Sequence, residues 1–188
     1  MRTFHLVCII DRSGSMAGLE DDTVGGYNSF LQSQKDKKNT RVTTILFDHE
    51  FTMLYKQVPL EQAYLSKNQY QVRGSTALLD AIGLSIEDTN HTRSFEDKTQ
   101  KTIYIITTDG QENSSTRFTY HAIHRLIEAE QEKGHDFVFL GANIDVKEES
   151  SKLGIKEEYS KKYESTNKGT KEMFHQMSHM VDKMMDSE

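Results

Sequence analysis

The amino-acid sequence predicts an α/β domain with a doubly wound, mostly parallel central sheet, one antiparallel edge strand and helices on both faces. Three apolar runs, FHLVCII (4–10), TIYII (102–106) and FVFLGA (137–142), are too continuous for strands with one wet face and suit strands buried on both faces of a parallel sheet. Helical patterns alternate with these runs, as a doubly wound sheet requires. Polar residues follow the runs abruptly, at the edge where open α/β sheets bind ligands.

Taken in order, the first strand is followed by a helical pattern over 21–38 with Val24, Tyr27 and Leu31 on one face. VTTILF (42–47) is the next strand, and FTMLYKQV (51–58), after the short DHE link, reads as its antiparallel partner. A second helix, over 75–90, aligns Leu78, Leu79, Ile82 and Ile86, with Ser75 or Thr76 available as its N-cap. The pattern over 118–134 aligns Phe118, Ala122, Ile123, Leu126 and Ile127 and closes at Gly134. Beyond Asn143 the chain is strongly charged, and a last helix is predicted at about 168–186. Its Met173, Met177, Met180 and Met184 suit either packing on the sheet or docking of another protein.

A chain of 188 residues supports one sizeable core, so a single domain over 1–188 is expected. The formal net charge of -6, with no dominant Lys/Arg cluster, argues against a nucleic-acid partner. Cys8 stands alone inside an apolar run and reads as a small buried hydrophobe in a reducing compartment. The apolar stretch LVCII is only five residues long before Asp11 and Arg12, too short for a signal core or a membrane span. A cytoplasmic protein without membrane contact is the resulting expectation.

The strand ends carry the chemistry. Asp11, Ser13 and Ser15 lie in DRSGS, Thr76 in RGST, and Asp109 in TTDG. If they converge, they offer oxygen donors only, which suits a hard divalent cation. Two carboxylates brought together would repel unless a cation lay between them.

DRSGS, the threonine of GST and the aspartate of TDG resemble, in order and spacing, the metal-ion-dependent adhesion site of the von Willebrand factor type A family. The resemblance extends over about the whole chain, and TDGQEN and FLGANID are similar to stretches in the small stand-alone bacterial and phage members. It implies that Ser13 and Ser15 bind metal directly, that Thr76 binds directly or through water, and that Asp11 and Asp109 act mostly through water. It further implies Mg2+, with Mn2+ or Ca2+ as substitutes, and a partner protein that supplies an Asp or Glu as the last ligand. Arg12, Met16, Glu112, Asn113, Asn143 and Asp145 adjoin the proposed ligands and are candidates for the partner-binding rim.

A binding module rather than an enzyme is therefore expected. The alternative is a metal-dependent phosphotransfer enzyme or phosphatase with Asp11 as nucleophile, but Ser13 occupies the place where such chemistry wants a second carboxylate. Ser13 and Ser15 do not fit a G-x-S-x-G elbow, and TVGGYNS lacks the lysine of a phosphate loop. His175 and His179 lie four apart, but Gln176 replaces the acid of H-E-x-x-H and no third ligand is evident, so they read as surface histidines. His121 and His124 read likewise, and Glu20, Asp21 and Asp22 as favourable charge at a helix start.

Overall fold

The computed structural model describes residues 3–37, 39–93 and 99–186. Its sheet has six strands, β1 (Phe4–Asp11), β2 (Thr40–Phe47), β3 (Phe51–Pro59), β4 (Lys101–Thr108), β5 (Asp136–Gly141) and β6 (Ser160–Lys162). Their spatial order is β3-β2-β1-β4-β5-β6. Every neighbouring pair is parallel except β2 with β3. The helices are α1 (Glu20–Ser33), α2 (Leu78–Arg93), α3 (Tyr120–Glu132), α4 (Val146–Leu153) and α5 (Asn167–Asp186).

Alternation along the strands divides the core into two layers. Leu6, Cys8 and Ile10 of β1, Ile103 and Ile105 of β4, and Val138 and Leu140 of β5 face α1 and α5. Val7 and Ile9, Tyr104 and Ile106, and Phe137 and Phe139 face α2, α3 and α4. Burial on both faces is why these strands are apolar at consecutive positions. Met173, Met177 and Met184 of α5 are buried in the first layer beside Phe174 and Val181, so the methionine face packs on the domain.

Several elements differ from expectation. The charged stretch after Asn143 contains α4 and β6. Helix α1 ends at Ser33 rather than continuing, and Lys38, where the predicted helix ends, lies outside the described residues. Helix α2 starts at Leu78, and its first amides are met from a distant loop: Leu79 donates to Glu112 Oε2 at 3.0 Å and Asp80 to Ser115 Oγ at 3.0 Å. Ser75 and Thr76 thus lie outside the helix, leaving the Thr76 side chain available elsewhere. Glu20, Asp21 and Asp22 do fall in the first turn of α1, and Gly134 adopts the positive φ of a helix C′ residue.

Candidate metal centre

Three aspartates stand at one level of the sheet. Asp11 ends β1, Asp48 follows β2 and Asp109 follows β4, and all three are essentially inaccessible, at 0%, 0% and 1% exposure. Burial of three ionised carboxylates costs several kcal/mol each unless something compensates. Asp48 is compensated within the fold: its Oδ2 receives Arg12 Nε at 3.0 Å and Arg73 Nε at 2.8 Å. Among the described residues Asp11 and Asp109 take part in no ion pair and are met by neutral donors only.

Asp11 Oδ1 accepts the Ser13 amide at 2.7 Å, and Oδ2 accepts Thr108 Oγ1 at 2.6 Å. Its main-chain carbonyl accepts the Tyr70 hydroxyl at 2.6 Å. Burial, reinforced by the charge of Asp109, pushes the Asp11 carboxyl above the ordinary carboxylate range, while the Thr108 and Ser13 hydrogen bonds pull the other way. Asp109 accepts Ser15 Oγ on Oδ1 in a short contact and Ser165 Oγ on Oδ2 at 3.1 Å. Ser13 Oγ lies 3.2 Å from Ser15 Oγ.

Thr76 completes the group. A side chain at Gly110 would sit 3.2 Å from Ser15 Oγ and 3.3 Å from Thr76 Oγ1, so both hydroxyls face one small volume that glycine keeps open. The structure thus gathers Asp11, Ser13, Ser15, Thr76 and Asp109 from three loops laced by main-chain bonds. Gly14 donates to the Gly74 carbonyl at 3.0 Å, Arg73 to the Arg12 carbonyl at 2.9 Å and Ala77 to the Asp48 carbonyl at 2.8 Å. Thr76 N–H donates to Asn113 Oδ1 at 2.8 Å, and Asn113 N–H returns a bond to the Thr76 carbonyl at 3.0 Å.

The rim candidates divide. Asn113, Asn143 and Asp145 are exposed and Glu112 is half-buried. Arg12 and Met16 are buried, at 7% and 2% exposure, and the Arg12 guanidinium also reaches Thr52 Oγ1 at 2.9 Å. Glu112 gathers the amides of Ser114, Ser115 and Leu79, and Asp145 caps α4 through the Glu148 amide at 2.9 Å. Asn143 and Asp145 line a groove with Gln111, Lys147 and Lys162.

Tyr70, Ser165 and Tyr163 join the site from positions that no local motif marks, and Thr108, inside TTDG, joins it as a hydrogen-bond donor to Asp11. Tyr163 Oη is buried without a hydrogen-bond partner among the described residues, and its ionisation is pushed up by burial and by the charges of Asp109 and Asp11. An unsatisfied phenol beside two uncompensated carboxylates fits a hydrated cation, whose water could accept or donate there. The oxygen-only donor set fits a hard divalent metal in the same way. Asp48, His49 and Glu50 also lie close together, but the two guanidinium groups on Asp48 make that cluster a poor rival for a cation.

No family model matches the chain, and no curated protein matches it in sequence. Solved structures do match in fold. Manganese-loaded TRAP protein of Plasmodium vivax superposes with a TM-score of 0.73 at 14% identity, over 97% of this chain and 73% of that one. The vWF domain of the type V pili tip protein of Porphyromonas gingivalis gives 0.69 at 11% identity, over 96% and 95% of the two chains. Proximal thread matrix protein 1 of the mussel byssus, with a zinc-occupied MIDAS motif, gives 0.65 at 17% identity, over 95% of this chain and 46% of that one. The strand order, the single antiparallel edge and these superpositions identify the fold of the chain as that of von Willebrand factor type A domains.

Proposed function

We propose that the chain is a divalent-metal-dependent protein-binding module whose metal is held by Asp11, Ser13, Ser15, Thr76 and Asp109. The observation that carries this reading is the contrast among the three strand-end aspartates: the fold supplies Asp48 with two guanidinium groups and supplies Asp11 and Asp109 with hydroxyls and an amide. A cation there would relieve the repulsion between two buried acids. Mg2+ is the preferred ion, because the donors are all oxygen and several are neutral.

When bound, the metal supplies an electrophilic position for an oxygen ligand from outside. The chain's own residues orient and insulate it. Thr108 and the Ser13 amide fix the Asp11 carboxylate, Ser165 fixes Asp109, and Asn113 fixes the Thr76 loop. Hydroxyl ligands leave the ion's charge only partly neutralised, which favours a carboxylate from a partner protein. Asn113, Asn143 and Asp145, which are exposed, are the candidates for contact with that partner.

A binding role is favoured over phosphotransfer by the state of Asp11. A nucleophilic carboxylate needs an oxygen facing its substrate, whereas both oxygens of Asp11 accept hydrogen bonds and the residue is inaccessible. A cytoplasmic setting is supported by the lone, buried Cys8, whose thiol burial pushes up to about 12. Among the described residues no helix is long and apolar enough to cross a membrane.

Calorimetric titration with Mg2+ and Mn2+ tests the metal, using Ser15→Ala and Thr76→Ala beside the native protein. Loss of binding in both folded variants supports the site, and undiminished binding overturns it. Capture of a partner that is released by chelator and by Ser15→Ala tests the binding role. Turnover of a phosphate ester that vanishes in Asp11→Asn would instead favour the enzyme.

A further inference from the structure

The α1–α5 side of the domain carries a second constellation, of different chemistry. His175 and His179 are exposed on α5, and their Nε2 atoms lie 3.1 Å apart, with the rings nearly perpendicular at 82° and centroids 4.6 Å apart. We propose that the two imidazoles chelate a borderline transition-metal ion such as Zn2+, Ni2+ or Cu2+ through their Nε2 atoms.

The separation is what chelation needs. Two nitrogens each about 2.0–2.1 Å from a tetrahedral ion stand roughly 3.3 Å apart, so the pair already has the spacing for one ion, and turning of the exposed rings aims both lone pairs at it. Without metal one ring donates its Nε2–H to the Nε2 of the other, a weak contact at an exposed position; on metal binding the donor ring's N–H moves to its own Nδ1 by exchange with water, so that both neutral rings offer an Nε2 lone pair to the ion. Helical spacing of four residues places both rings on one face, and the helix, buried through Met173, Phe174 and Met177, holds their backbones still.

The surroundings set the character of the site. The histidines line a groove of about 590 Å³ between α1 and α5, together with Asp21, Asp22, Asp182 and Lys171. These carboxylates are engaged: Asp21 with Lys67, Asp22 with Lys171 and Asp182 with Gln34. Water therefore fills the remaining positions of the metal. A two-nitrogen site open to water discriminates by ligand softness against Mg2+.

The test titrates Ni2+ or Zn2+ into the full chain in excess Mg2+, with the native protein, His179→Asn, the double variant His175→Asn/His179→Asn, and Asp11→Asn. The histidines are exposed, so unchanged melting temperatures without metal certify that the variants fold. One site in the micromolar range, weakened at least tenfold by His179→Asn, lost in the double variant and kept in Asp11→Asn, is expected. Absence of binding in the native chain, equal binding in the double variant, or loss in Asp11→Asn alone each overturns the assignment. Failure at the strand-end centre leaves this outcome unaffected, because the readouts use separate residues.

Discussion

Asn113 and Thr76 hold each other by a reciprocal pair of hydrogen bonds, from the Thr76 amide to Asn113 Oδ1 at 2.8 Å and from the Asn113 amide to the Thr76 carbonyl at 3.0 Å. The bridge ties the loop before α2 to the loop after β4 and sets where the Thr76 hydroxyl stands. Asn113→Ala leaves every proposed ligand in place, yet it should weaken divalent-metal binding by about tenfold, as loss of outer support does at metal sites. Titration calorimetry checks this, and unchanged affinity would mean that the bridge does not position Thr76.

Thr108 acts on the other carboxylate. Thr108→Val keeps the shape of the side chain but withdraws the donor from Asp11 Oδ2, and should lower metal affinity by about 10- to 100-fold. Thr108→Ser should restore most of it. Equal affinities in all three proteins would count against Asp11 as part of the centre.

At the opposite end of the sheet, His5 predicts an acid sensitivity unrelated to metal. Burial, with help from Arg93 and His135, lowers its ring to about 3. The unfolded chain takes up this proton near pH 6.5, whereas the folded chain refuses it until far lower pH. The unfolded state therefore binds more protons across that window, and stability falls as pH is lowered through it. From pH 7 to 5 the loss from this ring is about 2 kcal/mol. His135, lowered to about 4, adds in the same direction. Urea unfolding at the two pH values measures the slope, which His5→Gln should flatten.

Two adjacent glycines of α1 should respond oppositely to alanine. A Cβ on Gly26 would lie 2.2 Å from the Phe174 ring, so Gly26→Ala must push α5 away from α1 and should cost about 1–3 kcal/mol. Gly25 faces open space, and Gly25→Ala should stabilise by up to ~1 kcal/mol through helix propensity. Thermal unfolding of both variants separates packing from propensity.

The strands buried on both faces were legible because each residue of Leu6–Ile10 needs an apolar environment, and a continuous run is the direct record of that. Helix α2 was legible in its apolar face but not in its start, since Glu112 and Ser115 satisfy its first amides from more than thirty residues away. Strand β6 had no pattern to read: it is SKK, with Ser160 alone buried, and β5 supplies its backbone partners. The two strand-end acids in DRSGS and TDG stood out in sequence, but nothing local distinguishes Asp48 in DHE from them. The distinction is made by Arg73, which reaches Asp48 only in the folded chain. Likewise Arg12 and Met16 adjoin the ligands in sequence while their side chains are buried, and what draws Arg12 inward is Asp48 and Thr52, which it meets only in the folded chain.

The two margins of the sheet have a bearing on how a partner can attach. Strand β3 pairs with β2 through register shifts around Thr44, with Gln57 at a φ of 50°, so that margin is irregular. The other margin is the three-residue β6, ending in exposed Lys161 and Lys162. An irregular border and a short, charged one both discourage an incoming segment from extending the ladder. Recognition by strand addition is thereby disfavoured, and the sheet directs its visitors to its loop-bearing crest, where specificity can be rewritten by changing loops without disturbing the ladder beneath.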